Sequence, residues 1–261
     1  MHSRYIDHER YFQEQADSTE KYILPYIALD GVLSSLVVTE IGCGFGGGLK
    51  VLLDRGAKVY GIDISTDRIK LAQEFLKDHP HKSDLTLITK DIFEINPEDI
   101  PKADLIIMRD VIEHIHDHEK ALRHIKSFFK PNGKLFVAFP PWRMPFGGHQ
   151  QVCNSKILSK LPYLHLLPKC LYHTLLKFFK EPNSKIDELL ELKETKMPIQ
   201  KFIRLVKKID FKIEKQTFYL INPNYEIKFG LKPKKLPFIL NIPFIRDFYT
   251  TALYTLLFIH Q

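Results

Sequence analysis

The stretch VVTEIGCGFGGG, residues 37–48, indicates the fold more strongly than any other part of the chain. Its opening residues are apolar or β-branched, which is typical of a buried strand. Glycines then occupy positions 42, 44, 46, 47 and 48, and glycine lets a backbone turn sharply and approach a ligand closely. A strand, a glycine loop and a helix in this order are the phosphate-cradling arrangement of nucleotide-binding α/β folds.

Glu40 separates two candidate ligands of this loop. Gly42, Gly44 and Gly47 satisfy the spacing GxGxxG, which by itself suits NAD as well as other nucleotides. A dinucleotide site holds a pyrophosphate at the helix N-terminus, and a carboxylate two residues before the first glycine would repel it. S-adenosylmethionine carries ammonium and sulfonium cations and no phosphate, so the same carboxylate attracts it. Glu40 therefore favours S-adenosylmethionine over NAD.

Strands and helices alternate through the first half of the chain. Five short apolar runs predict strands, and amphipathic stretches between them predict helices. This alternation indicates a parallel sheet with helices on both faces. The predicted strands are 36–41 and the runs KVYGIDIS, LTLITKD, ADLIIMRD and KLFVAFPP; the predicted helices are 49–55, 66–77 and 117–130.

Acidic residues also end the second and third predicted strands. Asp63 stands where a carboxylate can accept both hydroxyls of a ribose. Asp91 can accept from an adenine amino group while its neighbour Ile92 covers the ring. Either acid alone also suits a strand-end turn or helix cap. Together with Glu40 and the glycine loop, they indicate one site for an adenosine-containing cofactor.

Four motifs resemble the class I S-adenosylmethionine-dependent methyltransferases: EIGCGFGGG, GIDIS, KDIFEI and IIMRDVIEHIHD, followed by PNGKLFVAFP after a helix. The resemblance covers roughly residues 36–140, and DVIEHIHD is most similar to the branch that methylates small molecules, including quinone-type O-methyltransferases. The family implies a doubly wound, Rossmann-like α/β fold with a seven-stranded, mostly parallel sheet and an antiparallel last strand. The runs FKIEKQTFYLI and TTALYTLLFIH suit strands six and seven.

The resemblance also implies a set of cofactor contacts. S-adenosylmethionine would bind and leave as S-adenosylhomocysteine, and an N-terminal helix carrying Tyr11 would close over it. Arg109 and Asp110 follow the fourth strand, at the carboxyl edge where doubly wound sheets bind ligands. The predicted cofactor-binding residues are Tyr11, Glu40, Gly42, Gly44, Asp63, Ile64, Asp91, Ile92, Arg109 and Asp110.

Two histidines are candidates for a catalytic role. Methyl transfer to oxygen benefits from a base that takes the acceptor's proton, and histidine suits this at neutral pH. His149, in FGGHQQ after strand five, is the first candidate, with an exposed loop histidine as the alternative interpretation. His114 is the second, with a structural role in its own loop as the alternative. Because Glu113, His114, His116 and Asp117 show no regular ligand spacing, no metal site is predicted.

The second half of the chain is strongly basic. From Arg143 onward it carries 20 Lys and Arg against 9 Asp and Glu, which suits either a solvated surface or contact with an anion. Residues 155–180 mix aromatic and aliphatic residues with lysines, so they form either a lid over the pocket, which we prefer, or a helix lying on a membrane.

The motif FPPW, which begins at Phe139, argues against a nucleic-acid acceptor. It follows strand five, whereas the similar motif of nucleic-acid methyltransferases follows strand four and begins with Asn, Asp or Ser. A small-molecule acceptor is therefore expected rather than nucleic acid.

The organisation predicted from these patterns is one domain. Residues 1–35 form an N-terminal helical cap, 36–141 the cofactor-binding core, 142–195 the inserted lid, and 196–261 a C-terminal helix with the last strands. The absence of an apolar leader, of a run of about 18 apolar residues and of paired cysteines indicates the cytoplasm, with peripheral membrane contact left open. An NAD-dependent dehydrogenase and a cofactor-binding protein without turnover remain as alternatives.

Overall fold

A single eight-stranded sheet organises the computed structural model, which describes residues 7–29, 31 and 33–259. Residues 1–6 of the predicted N-terminal cap lie outside the described residues. The strands are β1 (Val37–Ile41), β2 (Lys58–Asp63), β3 (Leu85–Thr89), β4 (Ala103–Arg109), β5 (Phe129–Phe139), β6 (Lys212–Ile221), β7 (Lys234–Lys235) and β8 (Ala252–Phe258).

The strand order across the sheet is β3-β2-β1-β4-β5-β8-β6-β7. The first five strands pair in parallel, and β8 lies antiparallel between β5 and β6. The α/β class and the antiparallel last strand are thus confirmed. The eighth strand is β7, a two-residue pairing with β6 that leaves no hydrophobic periodicity in the sequence. The strand order reverses between β1 and β4, because β2 and β3 follow on one side of β1 whereas β4 and β5 lie on the other. In open α/β sheets, ligands bind at the carboxyl ends of the strands at such a point.

The helices follow the strands much as predicted. Asp7, Ser65 and Asp117 cap the helices that begin at His8, Thr66 and His118 by accepting a hydrogen bond from a backbone N–H in the first turn. The helices are α1 (His8–Ser18), α2 (Gly47–Asp54), α3 (Thr66–Phe75), α4 (His118–Lys126), α5 (Lys169–Phe178), α6 (Asn183–Thr195), α7 (Ile199–Lys208) and α8 (Asn224–Phe229). A π-helical turn, Thr19–Ile23, and a short helical turn, Leu24–Tyr26, prolong α1.

One predicted boundary is wrong. The helix predicted over 117–130 ends at Lys126, and β5 begins at Phe129 rather than after the PNG turn. Phe129 pairs with Ala103, whereas Lys134 pairs with Leu105, so the PNG residues form a bulge inside the strand. A Pro-Asn-Gly sequence signals a turn, and the pairing on both sides of it is a tertiary effect that the local signal does not contain.

Each face of the sheet has its own apolar core. Leu105 and Ile107 of β4 pack with the α1 and α2 side, whereas Ile106 and Met108 pack with the α4 and α7 side. Alternate side chains of a strand point to opposite faces, so a strand covered on both sides is apolar throughout. Burial of each such side chain contributes about 1.5–3 kcal/mol. The rigid centre of the sheet therefore positions the loops that follow β1, β2 and β4.

The region predicted as a lid packs around a separate small core. Leu158, Tyr172 and Leu176 are buried there against Ile186 and Leu189 of α6. The predicted division at residue 195 coincides with the end of α6, and the division of the chain into cap, core, lid and C-terminal part stays a prediction. In the described ranges, every helix is too short or too polar to span a bilayer.

Candidate functional site

The glycine loop joins β1 to α2 in a conformation that requires glycine. Gly42, Gly44 and Gly46 have φ angles of +73°, +58° and +84°, a region that favours glycine because it has no Cβ. Space is also short, because a Cβ on Gly42 would lie 2.2 Å from the Cγ2 atom of Val111. A Cβ on Gly47 would lie 2.0 Å from the carbonyl oxygen of Phe12. The loop is therefore built for close approach of other groups.

Gln15 of α1 holds this loop in place, and the sequence analysis missed it. Its Nε2 donates to the carbonyl of Cys43 at 3.3 Å, and its Oε1 accepts from the N–H of Phe45 at 3.2 Å. The ring of Tyr11, one turn earlier, contacts the ring of Phe45 with centroids 5.0 Å apart. A glutamine on an amphipathic helix carries no signal of such a role. The N-terminal helix thus lies directly over the glycine loop.

Glu40 and Arg109 form a buried pair with unsatisfied atoms. The Oε1 of Glu40 lies 3.7 Å from the Nη2 of Arg109, beyond hydrogen-bond distance. Within the described residues, the Oε2 of Glu40 and the Nη1 of Arg109 have no hydrogen-bond partner. Burial raises the pKa of Glu40 to about 7, with the charge of Arg109 opposing and that of Asp63 adding to the rise. Buried polar groups of this kind are costly unless a ligand or water pairs them.

Each carboxylate oxygen of Asp63 accepts one hydrogen bond from the backbone around it. Its Oδ2 accepts from the N–H of Gly44 at 2.9 Å, and its Oδ1 accepts from the N–H of Ser65 at 2.9 Å. Each carboxylate oxygen can accept a second hydrogen bond. The next residue, Ile64, is 70% exposed, which is unusual for an isoleucine at a strand end. The structure thus places an acceptor and an open apolar surface side by side.

Asp91 lies at the end of β3 and caps the turn that follows. Its Oδ1 accepts from the N–H of Phe93 at 2.9 Å, the turn role that the sequence analysis left open. Ile92 is buried, so most of its side chain is covered by protein.

A cavity opens between the glycine loop, the end of β4 and α8. Asp110, at its wall, has a φ of +54° and donates its N–H to the carbonyl of Ala138 at 2.8 Å. Non-glycine residues in this region are strained, and such strain concentrates at functional sites. The lining residues are Tyr11, Glu14, Gln15, Gly42, Gly44, Arg68, Arg109, Asp110, Val111, Asn224 and Lys228.

The cavity brings together part of the predicted set. Tyr11, Gly42, Gly44, Arg109 and Asp110 line it, whereas the other five predicted residues lie outside its wall. The contributions of Asn224 and Lys228 were missed, because the sequence around α8 is proline-rich and without clear periodicity.

Glu113, His114 and His149 form a second feature at the same edge. One ligand atom from each lies within 4.8 Å of the others, a grouping that could hold a metal ion. The two imidazole centroids are 5.4 Å apart, and His114 Nε2 lies 3.9 Å from Glu113 Oε1. No metal site is predicted from the sequence, and His149 is not joined to this group there, because the residues lie on loops after different strands. Of the residues weighed earlier, Asp117 caps α4, and His116 lies 3.3 Å from Glu191.

The protonation of this cluster follows from its burial. Glu113 is 5% exposed, and neither of its oxygens has a hydrogen-bond partner in the described chain. Burial, with the charge of Asp110 adding to it, raises the pKa of Glu113 well above the ordinary value. Burial lowers the pKa of His149 to about 4, with the charge of His114 acting in the same direction. His149 is half-buried rather than an exposed loop histidine, and partial burial also lowers the pKa of His114.

Comparison with known proteins gives the family of this chain. Residues 39–135 match the family model described as Methyltransferase domain. These residues form a methyltransferase domain of the class I S-adenosylmethionine-dependent type. The resemblance seen in the glycine loop and the DVIEHIHD motif is thus confirmed. S-adenosylmethionine as the cofactor, which Glu40 predicted, is confirmed as well.

Two relatives of this chain are named for methylation of different atoms, oxygen in one and nitrogen in the other. A ubiquinone biosynthesis O-methyltransferase of Coxiella burnetii is 32% identical over 117 residues, 44% of this chain and 48% of that protein. A phosphoethanolamine N-methyltransferase 2 of Caenorhabditis elegans is 36% identical over 102 residues, 38% of this chain and 22% of that protein. The first match thus spans about half the length of the relative. Names with both oxygen and nitrogen acceptors leave the methylated atom open.

A solved structure extends the similarity over nearly the whole fold. The magnesium protoporphyrin IX methyltransferase of Synechocystis, with bound S-adenosylhomocysteine, aligns with a TM-score of 0.55 at 16% identity. The alignment covers 94% of this chain and 83% of that one. At this identity the similarity shows the fold alone.

Proposed function

We propose that this methyltransferase chain transfers a methyl group from S-adenosylmethionine to an oxygen atom of a small molecule. The observation that carries the proposal is the position of Glu113, His114 and His149 beside the cofactor cavity. Asp110 links the two features, since it lines the cavity and its charge acts on both Glu113 and His114. The acceptor would bind between them, at the carboxyl edge of β4.

The cofactor would be held by both ends. Asp63 has acceptor capacity left for the ribose hydroxyls, and exposed Ile64 supplies apolar cover for the adenosine half. At the other end, Glu40 and Arg109 offer one negative and one positive group with unpaired buried atoms. The methionine half of the cofactor has an ammonium and a carboxylate, so it complements this pair charge by charge.

Asp91, Ile92, Tyr11 and Gln15 would complete the cofactor site. Asp91 retains one carboxylate oxygen beyond its bond to the turn and could accept from the adenine amino group beside Ile92. Tyr11 and Gln15 would cover the cofactor from α1, because both already contact the glycine loop and line the cavity. This arrangement fixes the methyl group towards the acceptor, and alignment of the reacting atoms can supply about 7–11 kcal/mol of the barrier.

The acceptor hydroxyl would lose its proton at the histidine cluster. His149 is neutral at pH 7 because burial lowers its pKa to about 4, so its imidazole can accept a proton. That pKa also makes it a weak base. Two neutral imidazoles and a carboxylate form a ligand set that zinc and related divalent cations accept. A cation held there would lower the pKa of a bound hydroxyl.

Turnover of a defined acceptor panel tests this proposal. The purified chain is given S-adenosylmethionine with catechols, hydroquinones or phosphoethanolamine, and S-adenosylhomocysteine release is measured with and without a chelator. We expect release with a hydroxyl acceptor, and we expect His149→Ala to reduce it about 100- to 10,000-fold. His173→Ala, on α5, is the matched control. Turnover with the amine alone would contradict oxygen as the methylated atom.

Two further readouts separate the alternatives. S-adenosylhomocysteine should raise the melting temperature of the wild type and of His149→Ala alike, because a ligand of the native state stabilises it. Stabilisation by NAD alone would instead favour a dehydrogenase. Loss of turnover with chelator, restored by a divalent cation, would assign the cluster to a metal, whereas turnover unaffected by chelator would leave His149 as the base.

A further inference from the structure

Residues 229–248, between α8 and β8, expose most of the large apolar side chains on the described surface. Nine of the fifteen exposed large apolar residues lie in this segment. Phe238 is 94% exposed and Ile239 is 80% exposed, at a 3₁₀ turn between Pro237 and Asn241. The nine are Phe229, Leu231, Phe238, Ile239, Leu240, Ile242, Phe244, Ile245 and Phe248. Contiguous exposed apolar patches mark interaction sites.

Hydrogen bonds fix this segment in its exposed conformation. The hydroxyl of Tyr249 donates to the carbonyl of Leu240 at 2.6 Å, and the Nη1 of Arg246 donates to the Oδ1 of Asn241 at 2.7 Å. The guanidinium of Arg246 also lies 4.2 Å from the ring centre of Phe218 on β6. The base of the segment is thus anchored to the sheet while its apolar tip points to solvent. An exposed apolar surface that is held in place by such contacts is typical of an interaction site.

Positive charge accompanies the apolar tip. Lys232, Lys234 and Lys235 are exposed and form no ion pair with any described residue. The acid of the same segment, Asp247, is buried and accepts from the N–H of Ile199 at 3.2 Å. Exposed aromatic and aliphatic side chains next to unpaired lysines are typical of segments that lie in an anionic membrane interface.

A second copy of the chain fits this surface less well. In a two-fold symmetric contact the same patch faces itself. The three lysines of each copy would then approach those of the other beside the apolar contact, with no exposed acid in the segment to pair them. An anionic bilayer supplies both the apolar interior and the negative charge.

We infer that the segment 232–248 docks this methyltransferase on an anionic lipid surface, with Phe238 and Ile239 inserted among the headgroups and the lysines on lipid phosphates. This places membrane contact in a different segment from residues 155–180, for which the sequence left such contact open as the alternative to a lid. In that region Lys169 pairs with Glu194 at 2.7 Å, and much of the apolar surface is buried in its own core. The docking segment follows α8, whose Asn224 and Lys228 line the cofactor cavity.

Tryptophan fluorescence locates the contact. Phe238→Trp and Phe178→Trp are compared in the full chain, since Phe178 on α5 is 78% exposed and serves as the matched control. Vesicles contain phosphatidylcholine alone or phosphatidylcholine with phosphatidylglycerol. We expect a blue shift for Phe238→Trp with the anionic vesicles at low salt, no shift for Phe178→Trp, and reversal at high salt. A shift confined to Phe178→Trp would overturn the inference in favour of the 155–180 segment.

Co-sedimentation with the same vesicles measures the binding. Changing Lys232, Lys234 and Lys235 to Gln should weaken it roughly fivefold per lysine, and Phe238→Ser with Ile239→Ser should weaken it at least about tenfold. Phe178→Ser should have no effect. S-adenosylhomocysteine affinity should be unchanged in all variants, so vesicle binding and cofactor binding can fail separately. Absence of vesicle binding at low salt overturns the inference, and a dimer abolished by Phe238→Ser would identify a second copy as the occupant.

Discussion

The two ends of the cofactor site differ in how the protein satisfies its own polar atoms. On the side proposed to hold the adenosine half, both oxygens of Asp63 and one oxygen of Asp91 accept backbone hydrogen bonds. On the side proposed to hold the methionine half and the acceptor, buried Glu40 and Glu113 and partly buried Arg109 each have a side-chain atom with no hydrogen-bond partner among the described residues. The first set therefore stabilises the loops as well as facing the ligand, whereas the second set is held in an unfavourable state that a ligand can relieve.

This difference has opposite consequences for substitution. Removal of a group that the backbone uses leaves buried N–H donors without partners, which destabilises the fold. Removal of a buried carboxyl group that has no hydrogen-bond partner, such as that of Glu113, leaves no donor unsatisfied and should cost the fold little, while function is lost. Substitutions on the side of Asp63 and Asp91 should therefore lower both stability and cofactor binding. Substitution of Glu113 should lower activity without lowering stability.

Among the substitutions that compare the two sides of the site, Glu113→Gln should give the largest effect on turnover. The proposed role of Glu113 at the acceptor predicts a loss of at least about a hundredfold. Burial raises the pKa of Glu113, so the folded state retains a proton that the unfolded state has lost, and wild-type stability falls as the pH rises above the ordinary glutamate value. Glutamine does not titrate, so the variant should unfold at an equal or higher denaturant concentration at pH 8. If Glu113→Gln were less stable than the wild type and had unchanged turnover, Glu113 would serve the fold rather than the reaction.

Asp63→Ala should reduce stability and cofactor affinity together. It leaves the N–H groups of Gly44 and Ser65 without their acceptor, and each unsatisfied buried donor costs about 1–3 kcal/mol. S-adenosylhomocysteine affinity, measured by calorimetry, should fall at least about tenfold because the ribose acceptor is lost. Asp67→Ala in the first turn of α3 is the control and should change neither quantity by much. An Asp63→Ala protein with wild-type stability would mean that the backbone bonds are not important for the loop.

Glu40→Gln should change the pH dependence of cofactor binding. Burial raises the pKa of Glu40 to about 7, so the free protein holds a proton there at pH 6 that the unfolded chain does not, and its stability decreases as the pH rises from about 4.5 to 7. The cofactor's ammonium favours the ionised form. Affinity for S-adenosylhomocysteine should therefore rise with pH up to about 7, by at most about tenfold per pH unit. Glu40→Gln should bind more weakly and lose this slope.

The two sides also differ in how much of them could be predicted from the sequence. Glu40, Asp63 and Asp91 end consecutive parallel strands, and strands are detected by a local pattern, so their shared edge could be inferred. Gln15, Asn224 and Lys228 reach the cavity from elements distant in the sequence, and only tertiary packing brings them there. His149 was singled out by its position after strand five, but its proximity to Glu113 depends on two irregular loops.

The exposed apolar segment at 229–248 was missed for a related reason. Its prolines interrupt any periodicity, and apolar residues without a period do not reveal which of them are buried. Arg246 and Asp247 read as surface charges, yet both are buried and anchor the segment. These tertiary contacts hold the segment beside the sheet, and a local pattern does not contain them.

Ile64→Ser should give the smallest effect and tests the comparison most selectively. Ile64 is 70% exposed, so its removal should change the unfolding free energy by no more than about 0.5 kcal/mol. If Ile64 covers the adenosine half of the cofactor, loss of that contact should weaken S-adenosylhomocysteine binding several-fold, corresponding to about 1 kcal/mol of buried apolar surface. Ile157→Ser is the matched control, since Ile157 is 57% exposed in the inserted region. Both variants should melt as the wild type does, and only Ile64→Ser should bind the cofactor more weakly. Equal cofactor binding by the two variants would mean that Ile64 gives the adenosine half no apolar cover. The adenosine half would then be held by the hydrogen bonds of Asp63 and Asp91 alone.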